Sequence, residues 1–138
     1  MLRLLLLDDE TDQSQQGAVF AAVRWLLRTR LMLRRPITYI DATNLTRSDR
    51  RPYFRMAEAF NCTVEAIYFD VPIEVCQERN TRRGRQVATD VIERLARKLQ
   101  PPRHEEGFRK IRVVDERGRS RVLRRPGSER ASLRREPA

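Results

Sequence analysis

The residues with the clearest capacity for chemistry are one aspartate and a group of arginines. Asp41 closes the run Ile37-Thr-Tyr-Ile-Asp41, a β-branched and aromatic segment that reads as a strand. In open α/β sheets, ligands bind beyond the carboxyl ends of the strands. A carboxylate placed there can hold a magnesium-bound water or orient a catalytic partner. The plainer alternative is a turn aspartate that bonds nearby backbone amides. Arg79, Arg82, Arg83 and Arg85 crowd around Gly84. In a chain so rich in arginine, one such cluster is unsurprising by itself. Its place between two helices after a strand gives it interest, because an arginine hinged there can close over phosphates and stabilise the charge that builds during transfer. A phosphate-cradling loop needs closely spaced glycines and a Lys-Ser or Lys-Thr pair. Gly17, Gly84, Gly107, Gly118 and Gly127 stand far apart, and neither Lys98 nor Lys110 is followed by Ser or Thr. By its own residues the chain does not grip a triphosphate in the usual way.

The elements that must position these groups follow from periodicity. Val19, Phe20, Val23, Leu26, Leu27 and Leu31 recur at three- and four-residue steps, predicting a helix over 14–34 that Pro36 ends. The Ile37–Asp41 strand and the turn Ala42-Thr-Asn-Leu-Thr46 lead to a second helix reaching about Phe60, with Met56, Ala57 and Phe60 inward; Pro52 fits only in or near its first turn. Thr63–Asp70 is a strand whose late half is nearly continuous apolar, the pattern of burial on both faces. Val71-Pro72 opens a helix from Ile73 to about Asn80, and another runs from about Thr89 to Leu99, ended by Pro101-Pro102. Phe108–Val114 is the last strand. Strands alternating with helices imply parallel pairing and an α/β fold.

Composition sets the partners. The chain has 138 residues, the size of one domain, and a formal net charge of +10. Lys98 and Lys110 are its only lysines. Arginine forks onto phosphates and carboxylates with fixed geometry, so the excess fits an anionic partner, nucleotide or nucleic acid; codon bias in a GC-rich genome explains it equally well. From Glu116 to Ala138 there are eight arginines against three glutamates, few apolar residues and two prolines, the composition of a disordered basic tail. Cys62, Cys76 and His104 cannot make a four-ligand zinc site without carboxylates. The cysteines read as small buried hydrophobes in a reducing compartment. The Leu4–Leu7 run stops at Asp8-Asp9-Glu10, too short for a signal-peptide core or a membrane span. The expected location is cytoplasmic.

Several stretches, taken in order, carry a family resemblance. Tyr39-Ile-Asp-Ala-Thr-Asn-Leu-Thr-Arg-Ser-Asp-Arg-Arg51 resembles the D-x-T-N-…-R segment of polynucleotide-kinase-like P-loop kinases, within the AAA-type ATP-binding kinases. Val71-Pro-Ile-Glu-Val-Cys-Gln-Glu-Arg-Asn-Thr-Arg-Arg-Gly-Arg85 resembles their lid, and Glu106-Gly-Phe108 the E-G-F before their last strand. Asp12-Gln-Ser14 with Val19-Phe20 resembles the helix leading into the D-x-T-N strand. The ordered set spans roughly residues 1 to 115, and it implies an incomplete three-layer α/β/α P-loop fold with a parallel sheet lacking its first strands. In that scheme 1–115 is the kinase-like domain, with a lid at about 79–88, and 116–138 is the tail.

Position by position, the resemblance implies that Asp41 organises the magnesium and phosphate site, with Asn44 beside it. Arg83 would be the lid arginine on the transferring phosphate, supported by Arg79. Arg3 resembles the arginine of the D-x-x-R motif that positions the acceptor; that motif's aspartate, the general base, would fall just before Met1. ATP and Mg2+ are the implied cofactors, and the implied reaction moves the γ-phosphate of ATP to a hydroxyl such as the 5′-hydroxyl of a polynucleotide. Asp41 and Arg83 are expected to face a common cavity for polyphosphate. In the family the loop strand lies between the strands ending at Asp41 and Asp70, so its absence leaves two open edges, which invite mispairing. The natural start is therefore expected some tens of residues upstream, and the 138 residues alone are expected to be inactive. Two other readings stay open: a basic module holding nucleic acid through its arginine lid and tail, and a non-catalytic gene fragment.

Overall fold

The computed structural model describes residues 15–125. Its elements are helices α1 (Gln16–Met32), α2 (Arg47–Ala59), α3 (Ile73–Thr81) and α4 (Thr89–Lys98), with strands β1 (Glu65–Phe69), β2 (Lys110–Val114) and β3 (Ser120–Val122). The helices fall where periodicity places them, with ends shifted by no more than two residues. Thr46 caps α2: its hydroxyl accepts from the Asp49 N–H at 3.2 Å while the Asp49 carboxylate accepts from the Thr46 N–H at 2.9 Å. That reciprocal pair satisfies two orphan donors of the first turn. Pro52 lies inside α2 rather than at its start.

β1, α3, α4 and β2 form a strand–helix–helix–strand crossover. β1 pairs parallel with β2, from Glu65 opposite Lys110 to Phe69 opposite Val114. The ladder extends at both ends, Arg109 N–H to the Val64 carbonyl and Asp70 N–H to the Val114 carbonyl, each at 2.9 Å. This bears out the α/β class. The expectation of a parallel sheet needs correction, because β3 pairs antiparallel with β2 and the three-stranded sheet is mixed, in the order β1-β2-β3. β3 also lies inside the segment expected to be a structureless tail. The Asp115 carboxylate accepts from the N–H groups of Arg117 and Arg119, and Gly118 adopts φ 78°, which together turn the chain back. Residues 126–138, the rest of that tail, lie outside the described residues.

The core sits on one face of this sheet. Phe108, Ile111 and Val113 are buried, with Phe54, Val64, Ala66, Tyr68 and Leu123 packed against them. The ring of Phe54 meets that of Phe108 edge-on, with centroids 4.8 Å apart. The other face carries Ile67 and Phe69, which are 54% and 66% exposed, beside Arg112 and Lys110. β1 is thus buried on one face, not on both as its apolar run suggested. Alternation along a strand sends neighbouring side chains to opposite faces, and among the described residues nothing covers the second.

Residues 37–41 form no strand. Arg30 holds the segment to α1 by donating to the Thr38 hydroxyl and the Ile37 carbonyl at 3.0 and 3.1 Å, and Ile37 and Tyr39 stay 61% and 80% exposed. β-propensity makes a strand only when a neighbouring ladder exists to join, and this segment has none among the described residues. The cysteines also depart from expectation: Cys62 is exposed and Cys76 half-buried. Trp25 on α1 is 65% exposed.

Candidate functional site

The best-ordered polar structure is centred on Arg50. This arginine is 7% exposed, and it arrives there because the Thr46 cap starts α2 three residues earlier. Its guanidinium donates to both carboxylate oxygens of Glu106, each at 2.8 Å. It also donates to the carbonyls of Asn44, Leu45 and Gln100 at 2.9, 3.3 and 3.0 Å. One side chain therefore ties the 44–45 turn, the end of α4 and the loop before β2 into a single unit. A two-pronged arginine–carboxylate pair with its remaining donors satisfied is the strong form of this interaction. The Asn44 side chain joins the unit by accepting from the Tyr53 hydroxyl at 3.1 Å, and its φ of 41° suits an Asn in the left-handed region.

Burial pushes the Glu106 carboxyl up, but hydrogen bonds from Arg50 and the Arg103 backbone, with the charges of Arg50 and Arg47, hold it below its ordinary value of 4.5. A carboxyl depressed in the folded state contributes stability that is present above its unfolded value and lost as pH falls through its folded value. The wild-type urea midpoint should therefore drop as pH descends below 4.5, and Glu106→Gln should flatten that part of the profile. Equal acid sensitivity of the two proteins would show that the pair carries none of the pH dependence.

Of the arginine cluster, Arg79 sits in the last turn of α3 and Arg82, Arg83 and Arg85 lie between α3 and α4, where every residue from 81 to 90 is exposed. Arg82 forms an ion pair with Glu78. Arg79 donates to the Glu116 carbonyl on the β2–β3 turn. Arg83 makes no hydrogen bond or ion pair with the described residues beyond its backbone N–H to the Asn80 carbonyl. The loop that carries them is closed by Asn80, whose amide donates to the Val87 carbonyl at 2.7 Å and accepts from the Val87 N–H at 2.9 Å.

Asp41 is exposed on the unpaired segment and bonds no described backbone amide. It is joined to Arg83 by no ion pair. Two surface depressions are present among the described residues, one lined by Gln77, Asn80, Gln86 and Val87 among others, the second by residues at and just beyond the ends of α1 and α2. Neither Asp41 nor Arg83 lines either of them. Arg3 lies outside the described residues. The structure thus brings Asn44 into the Arg50 unit and Arg79 to the β2–β3 turn, and it leaves Asp41 and Arg83 as separate exposed groups.

The residues present do not fit ATP and Mg2+ on their own. Among the described residues no three His, Cys, Asp or Glu side chains converge as metal ligands, and the glycine spacing and Lys-Ser/Thr pair of a phosphate loop are not in the sequence. What the arrangement offers is an ordered turn below Asn44 and an exposed cationic loop. Sequence reasoning missed Arg50, Glu106 and Asn80 as organising residues. A signal existed for the first two, since an arginine and a glutamate recur in the two ordered stretches that carry the resemblance.

β1, α3, α4 and β2 make a crossover-built α/β unit that presents an exposed cationic loop between α3 and α4. Residues 2–102 match the family model described as an AAA domain, and the chain belongs to that nucleotide-binding P-loop family. No curated protein matches it. Among the described residues, no helix is long and apolar enough to cross a membrane.

Proposed function

We propose that these residues are the lid-bearing part of an ATP-dependent phosphotransferase, one that moves the γ-phosphate to a hydroxyl acceptor of which the 5′-hydroxyl of a polynucleotide is the leading example. The observation that carries this reading is the exposed arginine loop at 82–85, lying within the stretch that matches the AAA-domain family. Guanidinium groups held at a loop tip meet the spread negative charge of a transferring phosphoryl group, and positioning with charge stabilisation is most of what such a transfer requires. In this reading Arg83 touches the transferring phosphate, Arg79 supports the loop from the β2–β3 turn, Asp41 and Asn44 organise the phosphate side, and Arg3 meets the acceptor.

These residues joined to a glycine-rich loop ending in Lys-Ser or Lys-Thr should phosphorylate a 5′-hydroxyl oligonucleotide from ATP, and Arg83→Ala should lower the kcat by about 10²–10³-fold, the usual effect of removing one transition-state donor. The 138-residue chain alone should stay at background. No transfer by the joined chain to any hydroxyl acceptor would overturn the kinase reading.

A further inference from the structure

The loop between α3 and α4 has an unusual construction. Residues 81 to 90 bury nothing, so hydrophobic packing does not hold the loop in place. The Asn80 side chain makes its main closure. The carboxamide of Asn80 pairs with the backbone of Val87 in both directions, donor to carbonyl at 2.7 Å and acceptor from N–H at 2.9 Å. Asn80 thereby draws the two ends of a six-residue excursion together. Gln86 adds a second tie, its amide donating to the Thr81 carbonyl at 3.0 Å. The backbone N–H of Arg82 and Arg83 continue the helical pattern onto the carbonyls of Arg79 and Asn80. Gly84 stands at the outer end, where an added Cβ would meet nothing within 4 Å.

Ordering exposed residues costs backbone entropy, about 1–2 kcal/mol for each, and this loop recovers none of it through burial. Its distinctive content is Arg82, Arg83 and Arg85. A clasp that fixes an exposed, purely cationic excursion organises charge and does not stabilise a core.

We infer that Asn80 is the positioning residue of the arginine loop, presetting Arg83 for a polyphosphate anion such as the phosphate chain of a nucleoside triphosphate. This rests on the reading of the loop as phosphate-binding. The physical reason is preorganisation: a ligand that meets an already ordered cation does not spend binding energy on ordering it. The role assigned to Asn80 is in closing the loop, where both of its polar atoms engage the Val87 backbone.

Inorganic tripolyphosphate is the probe, titrated calorimetrically into the full chain at fixed salt, with hydrogen exchange of the Val87 amide followed in parallel. In the wild type the Val87 amide should be protected and tripolyphosphate should bind. Arg83→Ala should lose binding and keep the Val87 protection. Asn80→Ala should lose that protection and bind about tenfold more weakly, as expected if the competent loop falls to roughly a tenth of the population. Should Asn80→Ala lose its cooperative melt, Asn80→Asp provides the same comparison, because it keeps the acceptor for the Val87 N–H and loses the donor. Lost protection with wild-type affinity would overturn the role of Asn80 and leave the arginine loop standing. Wild-type affinity in Arg83→Ala, or no binding by the wild type, would overturn the phosphate reading of the loop, and the role of Asn80 with it.

Discussion

Arg50→Ala should cost about 3–5 kcal/mol of folding stability, the usual penalty for removing one partner of a buried ion pair. The side chains of Arg50 and Glu106 are only 8% and 7% exposed. Truncating the arginine leaves a carboxylate with reduced access to water and removes this donor from the Asn44 and Gln100 carbonyls, while the Leu45 carbonyl still accepts from the Gln100 N–H at 2.8 Å; a buried charge that has lost its close partner is what makes such losses large. Arg50→Lys should recover little, because an ammonium cannot span both carboxylate oxygens and the Asn44, Leu45 and Gln100 carbonyls together. The paired replacement Arg50→Met with Glu106→Leu should be milder than either single truncation, since it removes both charges at once. Urea unfolding of the four proteins measures this. A loss below about 1 kcal/mol for Arg50→Ala would place the pair among ordinary surface bridges.

The second large effect is expected at Phe108. Phe108→Ala should remove about 3–5 kcal/mol through lost apolar burial and the cavity left behind. Phe108 is 4% exposed and its ring stands edge-on to Phe54. The site has little freedom to collapse. Gly107, at φ 114°, carries the backbone so close to Phe54 that a Cβ there would sit 3.1 Å from the ring. The buried cluster is Phe108, Ile111 and Val113 with a few half-buried neighbours, so a loss of that size is a large share of the 0.05–0.15 kcal/mol per residue, roughly, that domains retain. The cooperative melt should broaden or vanish. Phe108→Leu should restore most of it, and Val122→Ala on the open face, where Val122 is 51% exposed, should stay within about 0.5 kcal/mol of wild type. A wild-type melting temperature for Phe108→Ala would mean that the sheet's buried face does not hold the domain together.

Both effects arise where segments far apart in the chain meet. Arg50 and Glu106 are 56 residues apart, and no local pattern announces their contact. By contrast, every helix was legible, because amphipathic spacing and breakers such as Pro36, Pro72 and Pro101 act within a few residues. The β1–β2 crossover was legible too, because two apolar runs with two helices between them admit few arrangements. The β2–β3 turn was hidden by composition. Arg117, Arg119, Arg121, Arg124 and Arg125 made the segment look solvated throughout, and the hairpin signal, Asp115 with Gly118 between Val113-Val114 and Val122-Leu123, was outweighed by charge. Ile37–Asp41 shows the opposite error, a segment with strand composition and no ladder to join.

The sequence by itself determined the helices, the crossover and the presence of an arginine cluster in a loop, since these depend on steps of three, four or two residues and on where the backbone can turn. It also determined that no phosphate-gripping loop is encoded in these 138 residues. Only the tertiary structure decided which polar groups are held and which are free. It buried Arg50 against Glu106, spent Arg79 on the Glu116 carbonyl, and closed the arginine loop with Asn80. Hydrogen bonds of that kind depend on direction and distance to within a few tenths of an ångström, and such precision is set only when the elements have packed.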